Sequence, residues 1–492
     1  MKLHRVCRSN HRFAPATALW RHFVLPYRPQ SQCFSSAAVA SEPRAGQPQD
    51  HAAAPKLRIR RIIRPTTYSE ADTRQVNPLH RKALAAFQGN TDYEGEPIPA
   101  HPVQTSQAPW DIVYEKLDNR QKLSSQISKF YQYSRPDTRE AVARKNLIAQ
   151  VRTHAQSSLP NHRLEVFGSE RTGLALPLSD IDLRLVTLEE LEAPRGSFPP
   201  DPLDKLELVK LLEKLKQRVS NNPAYFKTEI RYARYPLLHT VDRETGLPIQ
   251  IVCSNDSSRS RAIMQQYLNE FPYLREVFVL VKTSLDVRGL SEVYLGGLGS
   301  YSVFMMIVAA LKHTKLLSTQ HDDAASSLLR FLDFWAKVDL KEGIAIEPPI
   351  RFNKKQVLVL TKENKALKKT DRKKRQPPWM LCLQDPADET NDLGGKAYCI
   401  KHVIESIKQM NAQINDLLAG EPVANLLGCM VGDFQTRQYM MRKRLRARGA
   451  KIMQDSEGLL AAAKKSRRPR EEPISSIVDD AVSPVSETQG TD

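Results

Sequence analysis

The string VFGSERTGLALPLSDIDLRLV occupies residues 166–186, and its reading decides the fold of the chain's centre. Val166 and Phe167 end an apolar run that enters Gly168-Ser169, and a polar bend containing Gly173 and Pro177 follows. Asp180-Ile181-Asp182-Leu183-Arg184-Leu185-Val186 then alternates as a half-buried strand does, with both carboxylates on one face. Two carboxylates one strand repeat apart grip a hard divalent cation through oxygen. A Gly-Ser at the mouth of a turn leaves backbone N–H groups free to hold phosphate. An Asp-x-Asp by itself is common on solvated strand edges. Gly168-Ser169 a short loop upstream, with Thr172-Gly173-Leu174 and Ser179 between, makes the combination specific. It reads as phosphate plus metal, hence nucleotidyl or phosphoryl transfer.

Around this centre lie 492 residues, enough for two or three domains. The 73 Lys+Arg against 55 Asp+Glu leave a formal charge of +18, which points to a polyanionic partner and says nothing of fold. Cys7, Cys33, Cys253, Cys382, Cys399 and Cys429 form no C-x-x-C pair, and no histidine stands at zinc spacing. Reduced thiols and no structural zinc are expected. The longest apolar run, residues 303–311, is too short to span a bilayer, so no membrane partner is expected.

Residues 1–41 carry Lys2, Arg5, Arg8, Arg12, Arg21 and Arg28 with no acidic residue before Glu42. With Ser, Ala, Phe and Leu between them, this is the composition of a mitochondrial transit peptide, or of an ordinary basic tail. Residues 42–108, rich in Pro, Gln, Ala and Thr, read as a disordered linker. The basic run 56–64 inside it is a strand, an RNA-touching arm or a solvated charge run. Residues 109–155 turn helical, with Leu117, Leu123, Ile127, Phe130 and Tyr131 at helical spacing before a break at Pro136. Residues 203–219 form an amphipathic packing helix. Residues 227–232 and 248–253 read as two strands around a turn at 242–246. From Glu270 the pattern is helical, interrupted by a lysine-laden segment at 353–375 that is an RNA-facing loop or a solvated insertion. From Arg442 the tail, basic then acidic, is expected to be disordered.

The spacing V-F-G-S-x-x-T-G-L-x-L-P-x-S-D-I-D-L resembles the DNA polymerase β-like nucleotidyltransferases, and within them the non-canonical, Trf-type poly(A) polymerases. Three further stretches carry the same resemblance. They are I-S-K-F-Y-Q-Y-S-R-P at 127–136, G-G-L-G-S-Y-S at 296–302, and the loop from Asp385-Pro386 through Asn391-Asp392 to Tyr398. The resemblance covers residues 110–427 and implies an α+β fold: a mixed-sheet nucleotidyltransferase palm at 156–258, set into a helical PAP-associated domain made of 109–155 and 259–441. It implies Mg²⁺ (or Mn²⁺) held by Asp180 and Asp182, and a nucleoside triphosphate cradled by Gly168 and Ser169. In the same family pattern Lys282 neutralises phosphate, and Ser300 and Asn255 sit at the triphosphate and ribose. Tyr301 stacks on the base, and Asn391 and Asp392 belong to the base-recognition loop. The substrate would be an RNA 3′ end, extended in the mitochondrial matrix.

That family pattern departs at one decisive position. A third metal-binding aspartate is expected on the strand after a T-G-L-x-I turn, and here Thr245-Gly246-Leu247-Pro248-Ile249-Gln250-Ile251 puts Gln250 in its place. A neutral amide oxygen is a poor partner for a divalent ion, and metal activation is worth several kcal/mol, so a rate loss on the order of 10²–10⁴ is expected. Asp242 and Asp256 fall on a turn and beyond the strand, where neither substitutes. Asp286, and the lack of a histidine at 391–398, argue against a uridylyl preference and for ATP. Two functions stay open: an RNA 3′-end adenylyltransferase of reduced rate, and a non-catalytic RNA-binding factor that retains the nucleotide cleft.

Overall fold

The structure is a computed structural model that describes residues 107–113, 116–188, 202–232, 235–253, 258–291, 293, 296–315, 323–354 and 379–466. The transit-peptide segment, the linker up to 106, Asn255, Asp256 and nearly all of the basic segment 353–375 lie outside these residues. Two helices come first, α1 (Asn119–Ser134) and α2 (Thr138–Ser158). Asp118 and Asp137 open them with full capping boxes, each carboxylate accepting from the backbone N–H three residues on. There follow β1 (His162–Val166), the short helix α3 (Gly168–Thr172), β2 (Ile181–Thr187) and α4 (Pro202–Ser220). Next come β3 (Tyr225–Arg231), β4 (Leu237–Asp242) and β5 (Pro248–Val252).

These five strands form one mixed sheet in the order β1-β2-β5-β4-β3, parallel only between β2 and β5. The sequence reading has two strands where three stand: β4 was not foreseen. Its inward residues include Thr240 and Asp242, both buried, so the apolar alternation is broken. Each is satisfied locally: Thr240 Oγ1 lies 2.9 Å from Thr228 Oγ1, and Asp242 accepts from the Thr245 N–H and hydroxyl. The bend after Gly168 is likewise a turn and a half of helix rather than open loop.

Beyond the sheet the chain is helical: α5 (Ser258–Glu270), α6 (Leu274–Val287), α7 (Ser300–Lys315) and α8 (Ala324–Ala336). Two small hairpins follow, β6 (Glu342–Ile344) with β7 (Arg351–Asn353) and β8 (Gln384–Asp385) with β9 (Asp388–Asp392). The chain then forms α9 (Ile400–Ala419), α10 (Gly428–Val431) and α11 (Phe434–Ser466).

Two apolar cores result. The larger joins α1 and α5–α10 and takes in Trp110, whose ring meets Phe130 edge-on at 4.9 Å. The smaller lies against the sheet and contains Leu164, Ile181, Leu183, Leu238, Ile249 and Ile251.

Two expected boundaries move. Helix α2, assigned by sequence to the helical domain, packs on the sheet through Ala143, Leu147 and Val151 and belongs with the palm. The tail expected to be disordered from Arg442 is the long helix α11 as far as Ser466. Its charge density hides a buried ion pair: Arg442 Nε donates to Glu140 Oε1 at 2.7 Å, and Nη1 donates to the Tyr133 carbonyl at 2.7 Å. Leu445 enters the palm core while Phe434 enters the helical core, so α11 ties the two together. The crossing is close enough at Gly449 that a Cβ there would meet the Arg139 carbonyl.

Candidate active site

Asp180 is the last residue before β2 and Asp182 the second within it, so the alternation foreseen in sequence sets both on the solvent side of the palm core. Gly168 faces them with φ +61°, and a Cβ there would stand 2.5 Å from Asp182 Oδ2. Only glycine lets the backbone come this close to the carboxylate. Burial pushes the Asp182 carboxyl up to about 7, and the charge of Asp180 adds to the shift.

The loop between Gly173 and Asp180 is held from beneath by Arg144 of α2, which is almost wholly buried. Its Nη1 donates to the carbonyls of Pro177 and Ser179 at 2.9 and 2.8 Å, and its Nε to Glu170 Oε1 at 3.0 Å. One guanidinium thereby satisfies two loop carbonyls and turns Glu170 inward. Nothing in the sequence marks this arginine, which stands in an ordinary amphipathic helix.

Across the sheet Asp182 pairs in register with Gln250 of β5, and Gln250 with His239 of β4. Gln250 therefore stands beside Asp182 in the sheet, between the two carboxylates' strand and β4. Its Nε2 donates to Asp180 Oδ2, so the amide presents hydrogens to a carboxylate rather than a charge to a cation. His239 was missed together with its strand. Its Nδ1 lies 4.0 Å from Glu229 Oε1, and burial, helped by nearby Arg231, holds the imidazole down at about 4. It is neutral at physiological pH.

The second wall comes from the helical domain. A narrow crevice brings Ser169 and Ser179 of the palm against Phe278, Lys282 and Asp286 of α6 and Ser300 at the start of α7. Lys282 Nζ donates to Asp286 Oδ1 at 2.5 Å. Tyr301 donates its hydroxyl to Asp385 Oδ1 at 2.8 Å, and Asn391 Nδ2 donates to Asp385 Oδ2 at 2.9 Å. Asp392 accepts from the N–H groups of Leu383 and Gly394, so it shapes the turn of the expected base-recognition loop. Of the residues singled out in sequence, Gly168, Asp180, Asp182 and Gln250 meet at the palm, and Ser169, Lys282 and Ser300 meet in the crevice.

Residues 123–268 match the family model described as poly(A) RNA polymerase, mitochondrial-like, central palm domain. The palm is similar to the central palm domain of the poly(A) RNA polymerases. Relatives include poly(A) RNA polymerase cid14 of Schizosaccharomyces pombe, 27% identical over 60% of this chain and 41% of its own length. Poly(A) RNA polymerase protein 2 of Saccharomyces cerevisiae is 26% identical over 63% of this chain and 50% of its own length. The chain thus spans half or less of these two relatives. The inactive non-canonical poly(A) RNA polymerase protein Trf4-2 of Drosophila melanogaster is 25% identical over 65% of this chain and 74% of its own length. Among solved structures, the polymerase core of TRAMP, an RNA surveillance complex, superposes with a TM-score of 0.53 at 21% identity, covering 66% of this chain and all of that one. That likeness confirms the mixed-sheet palm with its helical domain.

A palm similar to those of poly(A) polymerases implies divalent metal, which Asp180 and Asp182 would hold. Among the described residues no third acidic or histidine side chain joins Asp180 and Asp182 into a metal cluster. Asp242 is committed to Thr245. Asp180 and Asp182, with Gly168 leaving room beside them, fit one cation; the third position does not fit a second. Among the described residues no helix is long and apolar enough to cross a membrane.

Proposed function

We propose that this chain is a template-independent RNA 3′-end nucleotidyltransferase that adds adenylates to mitochondrial RNA, at a rate held down by Gln250. The observation that carries this reading is the crevice in which Ser169, Lys282 and Ser300 converge, with Gly168 of the same short helix against Asp182. Nothing in a purely structural packing requires a glycine against a carboxylate opposite a lysine and two hydroxyls. The 3′-hydroxyl oxygen of RNA would attack the α-phosphorus of ATP, forming the phosphodiester as pyrophosphate leaves. Asp180 and Asp182 would hold the divalent ion, which when bound supplies charge neutralisation at the reacting phosphate. The hydroxyls of Ser169 and Ser300 offer donors to triphosphate oxygens, and Lys282 adds a positive charge within reach of them. Tyr301, fixed by Asp385, offers its ring face to the base. The basic, acid-free residues 1–41 support a matrix location, tested by whether they carry a fluorescent fusion into mitochondria and are removed.

Primer extension of an oligo-RNA by the purified chain tests the activity, with Mg²⁺ or Mn²⁺ and each of the four nucleoside triphosphates in turn. Extension that is strongest with ATP is expected. No extension with any nucleotide, together with no ATP binding, contradicts the reading. The Gln250–Asp180 hydrogen bond supports a second reading, an RNA-binding factor that keeps the cleft without its chemistry, and one relative is itself named inactive. ATP binding without extension would select it.

A further inference from the structure

A second groove lies on the far side of α3, between that helix and α5. Helix α3 has two working faces: Ser169 looks into the crevice, and Arg171 and Thr172 line this groove. Across from them stand Ser258, Arg261 and Gln265 of α5, over a floor that includes Met264 and Leu268. Arg171 is exposed, and its neighbour Glu170 turns inward to pair with Arg144. Among the described residues no side chain lining the groove is acidic, and neither Arg171 nor Arg261 has an ion-pair or hydrogen-bond partner. Two unneutralised guanidinium groups facing one trough, above apolar side chains, suit a chain of phosphates with sugars between them. The net charge of +18 adds a long-range pull on such a chain.

We infer that this groove carries the single-stranded backbone of the RNA whose 3′ end enters the cleft, with its phosphates taken by Arg171 and Arg261. The inference rests on the RNA-terminal reading above and adds the path of the strand. It places the approach on the α3–α5 side, where α5 begins a few residues after the strand bearing Gln250. Arg259 lies two positions from Arg261 and so on a different side of the helix, which makes it a matched control.

The test is fluorescence anisotropy of a 5′-labelled oligoadenylate with the full chain over a range of KCl concentrations. The double variant Arg171→Ala/Arg261→Ala is expected to bind roughly tenfold more weakly, and its log–log salt slope should be shallower by about 1.4, the loss of two single-strand phosphate contacts. Arg259→Ala should stay within about twofold of wild type, and Arg171→Lys/Arg261→Lys should recover most of the slope. Binding of a fluorescent ATP analogue should be unchanged in every variant, which separates a lost RNA contact from a lost fold. An unchanged affinity and slope in the double alanine variant would overturn the groove while leaving the RNA-terminal reading intact. Wild type that binds no RNA at all would overturn both.

Discussion

The two walls of the cleft are built to opposite electrostatic plans. On the helical wall the polar groups are already paired: Lys282 with Asp286, Tyr301 and Asn391 with Asp385. On the palm wall charge is left over. Asp180 and Asp182 crowd each other, the Asp182 carboxyl is driven up to about 7 against the pull of the Arg144 charge, and Asp180 accepts from the neutral amide of Gln250. A preorganised wall and a strained one have different uses. The first fixes where a nucleotide sits, and the second waits for a cation. On the proposed reading Gln250 stands on the palm side, so chemistry should be affected more than nucleotide binding.

The largest effect is expected where the palm wall meets its support. Arg144→Ala leaves the carbonyls of Pro177 and Ser179 and the carboxylate of Glu170 without their shared donor. Breaking a buried charge network of this kind costs about 3–5 kcal/mol, read as a lower urea midpoint. An unchanged midpoint would mean the loop holds Asp180 without Arg144.

The raised Asp182 carboxyl gives a pH signature that the helical wall should lack. Below about 7 a proton competes with a divalent ion for this carboxylate, so Mn²⁺ affinity should fall by about tenfold per pH unit and level off above. Without metal the sign for stability is the reverse. The native state binds this proton more tightly than the unfolded chain, so the contribution is present below the ordinary aspartate value and is lost as pH rises through about 7. Metal affinity that does not vary between pH 5 and 8 would show that Asp182 is not the group that holds the ion.

The smallest effect sharpens the other wall. Asp286→Ala frees Lys282 for phosphate and should tighten ATP binding by a few-fold, the scale of a partly exposed ion pair. Weaker binding instead would mean that Asp286 aims the lysine rather than occupying it.

What could be read in sequence was whatever depends on short-range spacing. The Asp180-x-Asp182 alternation and the glycine before Ser169 follow from residues close in the chain, whereas the place of Gln250 came from the family resemblance of the T-G-L-x-I turn. What could not be read depends on partners far away. Arg144 looks like any charged residue of an amphipathic helix until its guanidinium meets carbonyls more than thirty positions on. His239 sits on a strand whose inward positions include Thr240 and Asp242, so β4 carries no apolar alternation. Helix α11 has the composition of a solvated tail, and Phe434, Leu445 and the pairs of Arg442 with Glu140 and Arg446 with Asp137 give it a reason to fold back.

The central claim, that Gln250 withholds a metal ligand from an otherwise intact nucleotidyl-transfer cleft, is tested most directly by Gln250→Asp. Adenylate addition to an oligo-RNA in Mg²⁺ should rise at least about tenfold over wild type, on the scale of metal-assisted catalysis, and Asp182→Ala in the same background should abolish it. Addition that Gln250→Asp leaves unchanged would show that the amide is accommodated and the palm wall is not the weak side. No addition by either form, with ATP failing to bind, would contradict nucleotidyl transfer by this chain altogether.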